Sequence, residues 1–531
     1  MAELLPRQTT FAPDQPAEVE VRTSDPLTGV LIVEHLTRRV TERQVDLPAG
    51  HHLIDLGPLP HGGYAITLIT DRLETSTALD VLDQPFERPR YGFLSDFDTN
   101  RADIDETVDD LRRLHLNVIQ FYDWMYRHHE LLGSDDDFED ALGRRLSHRT
   151  TRALIEAVHG VGSVAMAYAA VYGVGQRYAR DHPEQLLYRN DGTNWTLGDF
   201  LTLADPSADS HWNLHLLTEL RSAVAQMGFA GFHLDQYGWP KLALRHDGSL
   251  VDLAQAFAGQ ISAVRAELPD TRLIFNNVNN FPIEATAATP QDAVYIEVWP
   301  PHDTYNDLAE LISHARLLAP DKPVILAAYL EAFAEGPDDR AEAGLQLALA
   351  TILANGGHHL LCGERHGLLV DPYYPNYRQL PDTSFDLVRR YFDAAVALGD
   401  LLYDDGPVIS SSWYGGINEE IRIEAPVPVS PNAQAGSLWA LVRRGKNRIT
   451  IHLIDLSAQQ DTRWNTGKNP IRPCRDVTLS ISIPVEPTEI AFTAPEADCR
   501  ARTLPSKREA EHLRISLPDF TGWASTSITF A

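Results

Sequence analysis

Short apolar runs alternate with longer amphipathic stretches through the middle of the chain. Runs of about 4–8 apolar residues are typical of buried strands, and apolar positions at helical spacing are typical of packed helices. The pattern predicts eight strands: Tyr91–Phe97, Leu116–Asp123, Ser163–Val171, Gly231–Gln236, Leu273–Val278, Ala293–Trp299, Pro323–Leu330 and His358–Cys362. Between them it predicts helices, among them Ile104–Leu114, Arg149–His159, Leu214–Met227, Leu253–Leu268 and Ala341–Ala354. This repeat predicts a central (β/α)8 TIM barrel over residues 89–401.

The two ends of the chain show a different pattern, in which apolar and polar residues alternate between turn clusters. Ala17–Arg22 is an example near the N-terminus, and Ile449–Leu456 is one near the C-terminus. Short strands at this spacing predict β-sandwiches. We therefore expect a multidomain protein in which the barrel is flanked by an N-terminal immunoglobulin-like β-sandwich over 1–88 and a C-terminal β-sandwich over 402–531.

A doubly wound open sheet is the alternative for the central region. That fold usually carries a glycine-rich phosphate turn after an early strand, and the chain contains neither GxGxxG nor GxxxxGK. The connection over about 174–213 is unusually long for a barrel. We interpret it as a loop or small subdomain that shapes the substrate site.

Two carboxylates end strands that lie two places apart in the predicted barrel, Asp235 after strand four and Glu297 after strand six. Taken alone, Asp235 fits a helix cap as well as a catalytic group. In a barrel, however, the active site forms at the carboxyl ends of the strands. Strands two places apart are separated by roughly 9–10 Å, so inward-leaning side chains can approach the distance of about 5–5.5 Å that retaining glycosidases use. We predict Asp235 as nucleophile and Glu297 as acid/base.

Further acidic, amide and aromatic residues follow the predicted strand ends, a combination that suits sugar recognition. His233 shares a face with Asp235, so it can bond a sugar or orient that carboxylate. Asp96 also fits a loop hydrogen bond, Asp123 also fits an ion pair with Arg127, and Glu364 has an equally plausible structural role. The predicted substrate-binding residues are Asp96, Tyr122, Asp123, Trp124, Tyr172, His233, Gln236, Tyr237, Trp299 and Glu364.

Charge narrows the choice of partners. The chain has 74 acidic and 45 basic residues, giving a net charge of −29, which argues against nucleic acid and anionic membranes. No stretch is apolar enough to predict a membrane span. The histidine doublets, such as His128-His129, are not spaced for a metal on a helix, so we predict no metal and no cofactor. A neutral sugar is compatible with this surface, and the oligomeric state is left open.

The cysteines and the N-terminal residues are relevant to the cellular compartment of the protein. Three cysteines form no disulfide framework, although a bridge between Cys474 and Cys499 is left open. The first residues lack a basic region followed by an apolar stretch, so no signal peptide is predicted. A cytoplasmic protein is expected, with secretion as the alternative if a leader has been removed.

Four segments resemble glycoside hydrolase family 66, which contains endo-dextranases and cycloisomaltooligosaccharide glucanotransferases. They are Tyr91–Phe97, Asn117–His129, Gly231–Gly238 and Tyr295–Pro300. The resemblance implies retaining hydrolysis of α-1,6-glucosidic linkages in dextran or isomaltooligosaccharides, with the nucleophile at Asp235 and the acid/base at Glu297. It also implies sugar subsites formed by Asp96, Tyr122, Asp123, Tyr172, Gln236 and Trp299.

One departure from the family pattern affects the predicted reaction. The cyclising members carry a carbohydrate-binding module after the seventh strand, whereas here only about residues 331–342 separate that strand from its helix. Hydrolysis is therefore favoured over cyclisation. The alternatives are a transglycosylase, an α-glycosidase of another linkage preference, or a non-catalytic glucan-binding protein.

Overall fold

The computed structural model describes residues 2–336, 338–409 and 420–531. Its centre is a sheet of eight parallel strands that pair in chain order, and a backbone bridge between Phe93 and Gly363 joins the first strand to the chain after the eighth. The strands are Tyr91–Leu94, Val118–Phe121, Val164–Ala170, Gly231–Asp235, Arg272–Val278, Ala293–Glu297, Val324–Ala327 and His358–His359. The predicted (β/α)8 barrel is confirmed.

Helices pack around this sheet. The helix before strand four shows how the sequence sets their ends: Ser210 caps it by accepting from the Asn213 N–H, and Gly228 ends it in the left-handed conformation, with φ of 86°. The helices are Ile104–Arg113, His148–Gly160, Gln176–Asp181, His211–Met227, Leu253–Glu267, Ile283–Thr286, Tyr305–Leu318, Asp339–Ala354, Asp382–Ala397 and Gly399–Leu402.

The strands alternate between an outer face against the helices and an inner face, because side chains on a strand have a period of two. On strand four His233 and Asp235 face inward, and on strand six Tyr295 and Glu297 do so. Met166 and Ile274 belong to the buried apolar cluster at the base of the barrel. The interior therefore changes from apolar at its base to polar at the carboxyl ends.

The N-terminal region forms a sandwich of two antiparallel sheets around its own apolar core. One sheet contains Ala2–Pro6, Pro16–Thr23 and Gly50–Pro58, and the other Leu27–His35, Arg38–Leu47, Gly62–Thr70 and Glu74–Val81. Arg90, in the short connection to the barrel, forms a buried ion pair with Asp80 at 2.7 Å, which ties the last sandwich strand to the start of the barrel.

The C-terminal region forms a second sandwich with a separate core. Its strands are Ile421–Glu424, Val429–Ser430, Leu438–Arg444, Arg448–Asp455, Pro473–Cys474, Thr478–Ser482, Glu489–Thr493, Arg502–Thr503, Lys507–Glu509, His512–Ser516, Phe520–Thr521 and Trp523–Thr529. Cys474 and Cys499 are both buried free thiols, so the bridge left open by the sequence is not formed. In the described part of the chain, no helix combines the length and apolar character that crossing a membrane requires.

Small antiparallel sheets decorate the barrel. The predicted substrate-shaping segment contains one of them, and its Phe200 and Leu201 line the central cavity. The strands of these sheets are Asp137–Glu139, Arg145–Ser147, Gly173–Gly175, Thr196–Leu197, Leu201–Leu203, Leu242–Leu244, Leu250–Asp252, Gly367–Leu368 and Arg378–Gln379.

Candidate active site

A cavity of about 760 Å³ opens at the carboxyl ends of the barrel strands. Asp235 and Glu297 both line it, together with aromatic side chains that include Tyr122, Tyr237 and Trp299. Its size lies within the range of about 300–1,000 Å³ found for ligand sites. A concave, mostly apolar site with converging carboxylates is suited to a sugar, whose rings have apolar faces and polar edges.

Asn276, on the strand between the two carboxylates, holds them together. Because its amide nitrogen lies 2.7 Å from Asp235 Oδ1 and 3.1 Å from Glu297 Oε2, those two oxygens are at most 5.8 Å apart. The second oxygen of each carboxylate accepts from a tyrosine hydroxyl, Tyr168 at 2.8 Å for Asp235 and Tyr329 at 2.9 Å for Glu297. Both carboxylates are thus fixed by two donors each.

The electrostatics of the pair favour one shared proton. Burial raises the pKa of Asp235, and the neighbouring Glu297 charge raises it further. Burial also raises the pKa of Glu297 above its usual value, while the bonds from Asn276 and Tyr329 oppose that rise. Two carboxylates this close resist ionising together, so near neutral pH one carboxyl group is favoured as the acid and the other as the anion.

Aromatic rings form the floor below Asp235. The His233 ring stacks on Tyr91 with centroids 5.9 Å apart and meets Tyr295 edge to face at 4.7 Å. Its Nδ1 lies 2.8 Å from the Tyr91 hydroxyl, and burial lowers its pKa to about 3, so the ring is neutral. His233 therefore faces the cavity as predicted, and it stacks at 6.5 Å on the ring of Tyr168, whose hydroxyl donates to Asp235.

The predicted residues Tyr122 and Asp123 line the cavity. Tyr122 stacks on Tyr374 with centroids 4.2 Å apart. Asp123 is buried and its pKa is raised to about 6 by burial, which the Arg144 guanidinium 3.5 Å away only partly offsets. The ion pair with Arg127 considered from the sequence is wrong, because the Arg127 guanidinium lies over the Tyr126 ring instead.

Gln236, Tyr237 and Trp299 also line the cavity. The side-chain amide of Gln236 is hydrogen-bonded within the protein. Its Nε2 donates to the Asn276 and Phe281 carbonyls, and its Oε1 accepts from the Gly238 N–H at 2.6 Å. Gln236 therefore shapes the loop that follows strand four, whereas Tyr237 and Trp299 present rings to the cavity.

Two predicted aromatic contacts are corrected by the structure. Trp124 is fully buried, donates its indole N–H to the Tyr168 carbonyl at 3.1 Å and packs on Phe229. Tyr172 is also buried; its hydroxyl donates to the Trp239 carbonyl at 2.6 Å and accepts from the Tyr237 N–H at 3.0 Å. Neither lines the cavity, and Tyr172 instead holds the loop after strand four from behind.

Two predicted acidic contacts are corrected in the same way. Glu364 is completely buried, pairs with Arg101, and accepts from the Ser95 N–H at 2.9 Å and the Asp96 N–H at 3.0 Å. Asp96 forms an ion pair with Arg365 at 2.6 Å and lies outside the cavity lining. Both carboxylates bind the loop after strand one to the chain after strand eight, the structural role that the sequence analysis left open.

Tyr168, Asn276 and Tyr329 lie within the strands predicted over Ser163–Val171, Leu273–Val278 and Pro323–Leu330, and none of the three was predicted as a site residue. Their inward phase was available as a signal: the strand pairing places Tyr168 opposite His233, and Asn276 opposite Tyr295. The sequence does not give the register between strands. That register places the Asn276 amide within hydrogen-bond distance of both carboxylates. Among the described residues, no group of three or more histidine, cysteine or acidic side chains is arranged to hold a metal ion.

Such a pair, held by one amide at the mouth of a parallel barrel, places the protein among the (β/α)8 glycoside hydrolases. The sequence model of glycosyl hydrolase family 66 matches residues 61–526, most of the chain. The chain belongs to this family, as its four motifs indicated.

Similar proteins agree with this placement. A cycloisomaltooligosaccharide glucanotransferase of Niallia circulans is 28% identical over 327 residues, 56% of this chain and 33% of its own. A dextranase of Streptococcus salivarius is 23% identical over 470 residues, 74% of this chain and 56% of its own. The chain thus spans about a third to a half of the curated relatives it matches.

A solved structure supports the fold over the whole chain. A cycloisomaltooligosaccharide glucanotransferase from Paenibacillus sp., determined with cycloisomaltoheptaose, matches with a TM-score of 0.89 at 18% identity. The match covers 99% of this chain and 100% of that one. At this identity it establishes the shared architecture of barrel and sandwiches.

Proposed function

We propose that the protein is a retaining glycosidase that hydrolyses α-1,6-linked glucans, with dextran or isomaltooligosaccharides as substrate. The observation that carries the proposal is the carboxylate pair, whose nearest oxygens are at most 5.8 Å apart. Inverting enzymes separate their carboxyl groups by about 6.5–9.5 Å to hold a water, whereas retaining enzymes need about 5–5.5 Å. The α-1,6 linkage is supported by family membership and by the dextranase among the relatives.

In the first step, Asp235 attacks the anomeric carbon as a carboxylate while Glu297 donates its proton to the glycosidic oxygen. The bond from the anomeric carbon to that oxygen breaks, the shortened glucan leaves as an alcohol, and a glucosyl ester forms on Asp235. Asn276 and Tyr168 hold the attacking carboxylate in place. Fixed groups need little reorganisation during the reaction, which lowers the barrier.

In the second step, Glu297 acts as a base. It takes a proton from water, the water oxygen bonds to the anomeric carbon, and the ester bond to Asp235 breaks. Both carboxyl groups regain their starting protonation, and the anomeric configuration is retained after two inversions. Tyr329 donates to Glu297 and stabilises the carboxylate it becomes between the two steps.

Hydrolysis is proposed over cyclisation because of the connection after strand seven. That strand ends at Ala327 and the next helix begins at Asp339, with a 3-10 turn at Glu331–Phe333 between them. A connection this short has no room for the inserted module that the family resemblance associates with cyclising members.

The test is the activity of Asp235→Ala and Glu297→Gln on dextran and isomaltooligosaccharides. We expect each substitution to reduce kcat by several orders of magnitude, since each removes a group that acts in both steps. Asp270→Ala and Glu310→Gln, at exposed positions, serve as matched controls. The anomer first released should be the α form. Near-wild-type activity in either active-site variant, or a β product, would refute the proposal.

A further inference from the structure

A second cavity, of about 450 Å³, adjoins the active-site cavity between the barrel and the C-terminal sandwich. Trp299, Tyr329 and Pro372 line both cavities, so the two share a wall. Tyr329 is also the residue that donates to Glu297. The second cavity therefore adjoins the carboxylate pair at the Trp299 and Tyr329 rings.

Residues 461–469 of the C-terminal sandwich, here called the bracing loop, contribute Arg463, Trp464 and Asn465 to the lining of the second cavity. The Trp464 indole N–H donates to the His302 carbonyl at 2.7 Å, and its backbone N–H donates to the Asp303 carbonyl at 3.0 Å. Lys468 is buried and donates to Asp461 at 2.6 Å and to Thr466 at 2.8 Å. The loop is therefore held rigidly against the barrel without any ligand.

Arg463 and Asn465 flank the buried Trp464, and both line the second cavity. Asn465 is fixed through its Oδ1, which accepts from the Glu331 N–H at 2.8 Å. Its amide nitrogen donates to no group in the part of the chain that the structure describes, so it is available as a donor. The Arg463 guanidinium is exposed and makes no hydrogen bond within the described residues.

The polar groups of the second cavity indicate the class of ligand. Three acidic residues, Asp303, Glu331 and Asp371, line it together with Arg463, so donors and acceptors share one space beside the Trp299 ring. An anion would meet three carboxylates and one arginine, so the net electrostatic interaction would be repulsive. A neutral polyol can donate to the acidic groups, accept from Arg463 and Asn465, and lie against the indole.

We propose that the second cavity is a distal glucosyl-binding subsite, in which Arg463 and Asn465 of the C-terminal sandwich bind hydroxyls of a glucose unit remote from the bond that is cleaved. This rests on the proposed function for the identity of the chain, and it makes the C-terminal sandwich part of the substrate-binding surface. The prearranged loop reduces the entropy lost when the chain binds.

The test compares the double variant Arg463→Ala/Asn465→Ala with the wild type on dextran, isomaltoheptaose and the shortest isomaltooligosaccharide that the wild type cleaves. We expect kcat/KM for the two long substrates to fall roughly tenfold through KM, since two hydrogen bonds of ordinary strength are lost. The value for the shortest substrate should not change. Arg472→Ala, an exposed arginine of the same sandwich that lines neither cavity, should match the wild type on all three.

An equal loss on long and short substrates, or no loss on either, overturns the subsite while leaving the proposed function intact. If the wild type cleaves none of these glucans, the proposed function fails instead, and electrophoresis through dextran-containing gels still tests the subsite. Weaker retardation of the double variant than of the wild type supports it, and equal retardation overturns it.

Discussion

Replacing Asn276 with alanine removes an amide that bonds both carboxylates. Its amide nitrogen donates to Asp235 at 2.7 Å and to Glu297 at 3.1 Å, and both bonds lower the pKa of their acceptor. Without them, both carboxyl groups hold their protons to higher pH. We therefore expect the whole bell-shaped profile of kcat/KM to move toward alkaline pH in Asn276→Ala.

The size of the shift follows from the bonds that are lost. A hydrogen bond to a charged group contributes about 1.5–3 kcal/mol, and about 1.4 kcal/mol corresponds to one pKa unit. Each limb should accordingly move by about one to two pH units. On the acidic limb, where activity requires the Asp235 carboxylate, kcat/KM should fall roughly 10- to 100-fold at a fixed pH.

The assay is kcat/KM on isomaltooligosaccharides across pH in wild type and variant. Asn279→Ala is the matched control, because this asparagine also lines the cavity but donates to the Pro300 carbonyl and bonds neither carboxylate. Its limbs should stay in place. A uniform loss of activity in Asn276→Ala with both limbs unmoved would show that the amide does not set the protonation of the pair, and the reasoning would be wrong.

Three further predictions concern single residues. Tyr329→Phe removes the hydroxyl that donates to Glu297, so the alkaline limb of the pH profile of kcat/KM should move up by about one to two pH units while the acidic limb stays; movement of both limbs would contradict this. Asp235→Asn should raise the unfolding temperature more at pH 8 than at pH 4. The raised pKa of Asp235 means that the folded protein keeps a proton the unfolded chain releases, so wild-type stability falls as pH rises through that window and the amide variant escapes the loss. Scanning fluorimetry at pH 4 and pH 8 checks this, and the same difference in unfolding temperature between variant and wild type at both pH values refutes it. Glu364→Gln removes the Glu364 charge from the buried Arg101, which keeps its second carboxylate partner, Asp103, at 2.9 Å; the loss of one charged hydrogen bond should cost about 1.5–3 kcal/mol in urea unfolding, and unchanged stability would contradict that reading.

The sequence pattern was sufficient for the barrel and for the positions of Asp235 and Glu297, because strand ends in a parallel barrel converge on one face. It failed where the backbone departs from a regular strand. Asp123 adopts a left-handed conformation with φ of 50°, which ends the alternation of strand two and leaves the next residue, Trp124, buried in the core. No periodicity argument reports such a turn.

The sequence also did not predict which side chains far apart in the chain bind each other. Whether a buried carboxylate such as Glu364 binds substrate or protein depends on which cation the fold brings to it, and Arg101 lies more than 260 positions away in the chain. The same holds for the Asn276 bridge, which depends on the stagger of three adjacent strands. The sequence supplies the donors and acceptors, and the strand register determines which donor bonds which acceptor.

The closure of the barrel between its first and eighth strands determines where the barrel opens transiently. Seven of the neighbouring strand pairs are joined by backbone ladders, whereas the closing edge has an isolated backbone bridge, at Phe93 and Gly363, and relies on the side chains of Glu364 and Asp96. We expect backbone amides along this edge to exchange with deuterium before those of strands four to six. The barrel then opens first between strands one and eight. This edge lies away from Asp235 and Glu297, so transient opening there leaves the two reacting carboxyl groups in register.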